Sequence, residues 1–127
     1  MDLTRLTALA LDCVAYGDGN VGVMPGLTVL GRSEKSDLEA YVYEPVLCLI
    51  LQGSKRVSIG EQDVEVLPGN ALLVSHDLPV LSRITRASAA EPYLALILTL
   101  DLSLMRGLRD MVGHDPVSGR SLTVSAA

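Results

Sequence analysis

Apolar and polar positions change rhythm twice along this chain. Leu6, Leu9, Ala10, Cys13 and Val14 recur at helical spacing, so residues 4–16 are expected to form an amphipathic helix. Gly17 stands where a C-terminal cap belongs, and Gly17-Asp18-Gly19-Asn20 reads as a turn. From there to about Leu100 the period shortens, and turn residues divide the chain into short strands. The expected strands are Leu27 to Arg32, Leu38 to Tyr43, Val46 to Gln52, Ala71 to Ser75, Pro79 to Thr85 and Tyr93 to Leu100. Between the third and fourth of these, Arg56-Val57-Ser58-Ile59 and Asp63-Val64-Glu65-Val66 alternate on either side of Gly60-Glu61. They predict a hairpin with Val57, Ile59, Val64 and Val66 on its inner face. Val46 to Leu51 is apolar throughout, as in a strand covered on both faces or lining a barrel wall. Helical spacing then returns. Leu104, Met105, Leu108, Met111 and Val112 stripe a second helix over 102–112, with Asp101 as its cap. Residues 113–127 have little apolar periodicity and read as a tail or linker. The pattern predicts a mainly β fold: one domain over 1–112, an antiparallel barrel or sandwich with flanking helices.

Composition narrows the function. With 127 residues, 49% of them hydrophobic, the chain has material for one core, and that core is aliphatic because Trp and Phe are absent. The net charge is −5, with two lysines and eight scattered arginines. Binding a phosphate backbone needs clustered cations, so nucleic-acid binding by this chain alone is not expected. Cys13 and Cys48 show no metal-ligand or redox spacing. The start lacks a basic segment ahead of an apolar one, and the longest apolar runs fall short of the roughly 20 residues that span a bilayer. The expectation is a cytoplasmic protein with no membrane partner.

One stretch is specific. Glu44-Pro45-Val46-Leu47-Cys48-Leu49-Ile50-Leu51-Gln52-Gly53-Ser54-Lys55-Arg56-Val57 resembles the strand-and-turn signature of the AraC-type transcription regulator N-terminal domain. Pro68-Gly69-Asn70-Ala71-Leu72-Leu73-Val74-Ser75-His76-Asp77-Leu78-Pro79-Val80 and Ala87-Ser88-Ala89-Ala90-Glu91-Pro92-Tyr93-Leu94-Ala95-Leu96 resemble two later segments of that family, in the right order. The resemblance spans about residues 25–102. It implies a cupin-like β-barrel that senses a small-molecule effector and self-associates as a homodimer. It also implies a following domain with two helix-turn-helix units, through which DNA would be bound. That domain is missing here, so the chain reads as a fragment.

Candidate chemistry is sparse. Metal-binding cupins offer two or three histidines and a Glu from their strands, whereas this chain has only His76 and His114. No metal, cofactor or catalytic group is therefore expected, and a stand-alone cupin-type enzyme is the alternative to the sensor. A filled barrel acting as a pure interaction module is a third reading. Ligand-binding candidates are Arg32, Tyr41, Tyr43, Gln52, Lys55, Arg56 and His76. Gln52-Gly53-Ser54-Lys55-Arg56 is expected at a hairpin. Either Gln52 bonds across the turn with Lys55 and Arg56 in solvent, or these side chains reach a ligand at the barrel mouth. Arg32 is either solvated or a clamp for a ligand carboxylate. Tyr41 and Tyr43 share one face of their strand, turned either into the cavity or out to solvent. His76 is either an ordinary loop residue or a ligand contact, and Cys48 is expected to be an inert core thiol.

Overall fold

The computed structural model describes residues 3–14, 18–74 and 77–100, together with the backbone of 121–125. The expected second helix over 102–112, His76 and His114 lie outside the described residues. Helix α1 (Leu3–Cys13) is followed by β1 (Gly19–Met24), β2 (Leu27–Arg32), β3 (Glu39–Tyr43), β4 (Val46–Gln52), β5 (Ser54–Ile59) and β6 (Gln62–Val66). Then come β7 (Asn70–Val74), β8 (Leu78–Arg86), β9 (Tyr93–Thr99) and β10 (Ser121–Ser125).

The strands form two antiparallel sheets, ordered β1-β2-β9-β4-β7-β10 and β3-β8-β5-β6. Of the barrel and sandwich expected from the sequence, this is the sandwich. Two strands were not foreseen. β1 is rich in glycine, which obscures its Val21–Val23 alternation. β10 lies in the segment read as a linker, yet pairs with β7 from Ser121↔Val74 to Ser125↔Asn70.

Period-two alternation divides the apolar residues between two cores. Cys48, Ile50, Leu72, Val74, Tyr93 and Ala95 of the larger sheet face Val57, Val66 and Val80 of the smaller one. On the outer side of the larger sheet, Val29, Leu51 and Leu94 pack under Ala10 and Val14, with Leu3 and Leu6 beside them. The helix stripe thus covers the sheet, and β4 and β9 are sandwiched between helix and second sheet. That is why both strands read as near-continuous apolar runs. The β5–β6 hairpin forms as expected, with Val57 opposite Val64 and Lys55 opposite Val66.

The passage from β4 to β5 differs from expectation. Gln52-Gly53-Ser54 is not a hairpin, because β4 pairs with β7 and β9 while β5 pairs with β6 and β8. Gly53 carries the chain from one sheet to the other at φ +77°, a left-handed conformation. A Cβ there would collide with the Arg86 carbonyl oxygen and stand 3.0 Å from Tyr93 Cα. Beside it, Gln52 Nε2 donates to the Pro92 carbonyl oxygen at 2.9 Å, and the Ser54 and Thr85 hydroxyls share a hydrogen bond of 2.8 Å. The corner is therefore pinned to both strands that flank it. Gly53→Ala combines backbone strain with a backbone clash and is expected to cost about 3 kcal/mol. A chemical-denaturation midpoint unchanged from wild type would contradict this account of the corner.

Candidate functional site

The sheet switch at Gly53 decides where Lys55 points. Lys55, Val57 and Ile59 are two residues apart on β5 and share its inner face. Lys55 is therefore turned between the sheets, where it is 6% exposed. Its ammonium donates to the Tyr43 hydroxyl at 3.4 Å and to Cys48 Sγ at 3.5 Å, and lies 5.4 Å from the centre of the Tyr43 ring. The solvated lysine of the sequence reading is corrected by this parity. Tyr93, on the facing strand β9, is 1% exposed, and its hydroxyl has no hydrogen-bond partner among the described residues.

These groups form the inner end of a cleft of about 600 Å³ between the two sheets. Leu30, Val46 and Ile97 of the larger sheet and Ile84 of the smaller give it apolar walls. Tyr41, Glu39, Asn20 and the connection Glu34-Lys35-Ser36 contribute to its lining nearer solvent. That connection is fastened to β8, since Ser36 N donates to the Ile84 carbonyl at 3.2 Å and Ile84 N to Ser36 Oγ at 2.8 Å.

Four of the expected site residues come together here. Arg32, Tyr41, Tyr43 and Lys55 all line the cleft. Tyr41 and Tyr43 lie on one side of β3 with ring centres 6.1 Å apart. The Tyr41 hydroxyl donates to Glu39, and that bond with a carboxylate pushes its ionisation up. Arg32 Nη1 is held by the carbonyl oxygens of Gly31 at 2.6 Å and Gly19 at 3.3 Å. Two others are placed elsewhere. Arg56 is exposed on the outer face and pairs with Asp63 at 3.1 Å, and Gln52 is committed to Pro92. The sequence reading missed Tyr93 as a lining residue and treated Cys48 as core alone. Counting by twos along β9 would have set Tyr93 on the same face as Ala95 and Ile97.

Burial opposes the charge on Lys55, but the Cys48 sulfur and the Tyr93 and Tyr43 oxygens favour it and prevail. Lys55 consequently keeps its proton beyond the ordinary lysine range. Burial also holds the Tyr93 phenol protonated beyond the ordinary tyrosine range, against the opposing effect of Lys55. At the rim, the Ser33 hydroxyl and backbone N–H hold the Asp18 carboxyl below its usual range. Among the described residues, no group of three or more His, Cys, Asp and Glu side chains is arranged to hold a metal.

A family model described as the AraC-type transcriptional regulator N-terminus matches residues 23–127. The chain belongs to this family. A solved structure of apo ToxT, a variant from Vibrio cholerae, is similar in fold, with a TM-score of 0.50 at 11% sequence identity. The similarity covers 80% of this chain and 42% of the ToxT chain, so this chain spans well under half of that protein. A search of curated proteins returned no match. This AraC-type domain is therefore a regulatory N-terminal domain of the effector-binding or dimerisation kind, built as a two-sheet sandwich.

The two buried groups give the domain a pH signature. Both Lys55 and Tyr93 hold protons more tightly in the folded protein than in the unfolded chain. The resulting stability is fully present below about pH 10, where both groups are protonated even when unfolded, and is lost as pH rises beyond it. The melting temperature is expected to fall as pH rises from about 10 upward, and Tyr93→Phe should blunt that fall. A wild-type profile flat across this window would count against the burial of these groups.

Proposed function

We propose that the cleft between the sheets is the effector site of a transcription regulator. Its ligand is a small molecule contacted by Arg32, Tyr41, Tyr43 and Lys55. The observation that carries this reading is the convergence of these four side chains on one cleft of about 600 Å³, a size ordinary for small-molecule sites. The domain acts as a binding module in the cytoplasm and performs no catalysis. Effector binding shifts the balance between arrangements of an attached helix-turn-helix domain, which makes the contact with DNA.

Self-association is part of the same proposal. Leu38, Val42 and Leu81 are 59%, 69% and 44% exposed around β3 and β8, and among the described residues β3 is an edge strand. Apolar side chains beside an unpaired edge favour contact with a second copy. Sedimentation equilibrium is expected to show a dimer, and a clean monomer at high concentration would remove this part of the reading.

A thermal-shift screen with a set of small metabolites tests the site itself. Compounds that raise the melting temperature of wild type should lose most of their effect in Ile97→Trp, which fills the cleft wall. The variant's circular dichroism should match wild type. Stabilising compounds indifferent to the substitution would place the effector elsewhere.

A further inference from the structure

We propose that the effector is an organic monocarboxylate, bound with its carboxylate against Lys55 and Tyr93 at the inner end of the cleft. This rests on the reading of the cleft as the effector site and adds the chemical class of the ligand. Two observations point to it. Lys55 is buried among a thiol and phenols, and among the described residues no carboxylate lies within ion-pair distance of it. The acids lining the cleft, Asp18, Glu34 and Glu39, are all exposed. The second observation is the Tyr93 hydroxyl, a buried group with no hydrogen-bond partner among the described residues, which lines the same cleft.

A buried ammonium is usually paired, and a buried hydroxyl is usually bonded. Here two exceptions share one end of one cleft, and an oxyanion satisfies both. It accepts a charge-assisted hydrogen bond from Lys55 Nζ and an ordinary one from Tyr93 Oη. A single positive charge matches a single negative one. A phosphate dianion would set two negative charges against the one ammonium at this end, where Lys55 is 6% and Tyr93 1% exposed. The walls of Leu30, Val46, Ile84 and Ile97 ask for a hydrocarbon body behind the carboxylate. The Tyr43 hydroxyl, already accepting from Lys55, orients the ammonium.

The test uses isothermal titration at neutral pH with two probes of equal shape, cyclohexanecarboxylate and its neutral amide, cyclohexanecarboxamide. Wild type is expected to bind the carboxylate at least about tenfold more tightly than the amide. Lys55→Met should bind both alike, Lys55→Arg should keep the preference, and Tyr93→Phe should weaken the carboxylate selectively. The wild-type comparison needs no variant to fold. Equal affinity of wild type for the two probes, or a preference surviving in Lys55→Met, would overturn the carboxylate assignment and leave the cleft as effector site. Failure of wild type to bind either probe up to tens of millimolar would overturn both.

Discussion

Gly53 passes the chain from one sheet to the other with no residue to spare, and only a residue without a side chain fits the passage. The corner sits against the Arg86 carbonyl and the Tyr93 backbone, so it fixes the end of β8 and the start of β9 as well. Everything that defines the site follows from this closeness. β4 brings Cys48 to the inner face of one sheet, and β5 returns on the other sheet with Lys55 facing it. The two side chains meet at 3.5 Å although seven positions apart in sequence. A longer connection would let the sheets slide relative to each other and would loosen that meeting.

The helix supplies the complementary constraint. A sheet whose two faces are both apolar needs cover on both, and α1 provides it for β4 and β9 through Ala10 and Val14. With its outer face satisfied, the larger sheet is free to devote its inner face partly to a cleft. Cys48, Ile50 and Tyr93 show the division along that face. Ile50 packs into the shared core, whereas Cys48 and Tyr93 also line the cleft.

Strand positions were largely legible because period-two alternation is a direct consequence of the pleat, and β2 and β4 carry the boundaries read from sequence. Partnership was less so. Gln52-Gly53-Ser54 has the composition of a hairpin turn, and composition does not say whether the next strand turns back on its predecessor or crosses to another sheet. That ambiguity sent Lys55 to solvent in one reading and to the barrel mouth in the other. Its inward position was available from parity with Val57 and Ile59, but a lysine beside a glycine turn outweighs parity when residue type is read first. Tyr93 was hidden for another reason. It follows Pro92 at the start of a run of apolar residues, so its hydroxyl drew no notice as a polar group facing a cleft.

The cost of the buried groups argues that they are there for a ligand rather than for the fold. Elsewhere around the corner and the cleft, polar atoms are matched: Ser54 with Thr85, Gln52 with Pro92, Ser36 with Ile84. A chain that satisfies these and leaves the Tyr93 hydroxyl without a hydrogen-bond partner among the described residues forgoes stability that Phe at the same position would supply at almost the same volume. Methionine in place of Lys55 would fill similar space with no ammonium to desolvate. Functional sites are where such stability is commonly given up, because a preorganised charge and donor bind a ligand without first having to be ordered. Lys55 and Tyr93 together are therefore best understood as half of an interaction whose other half arrives from solution.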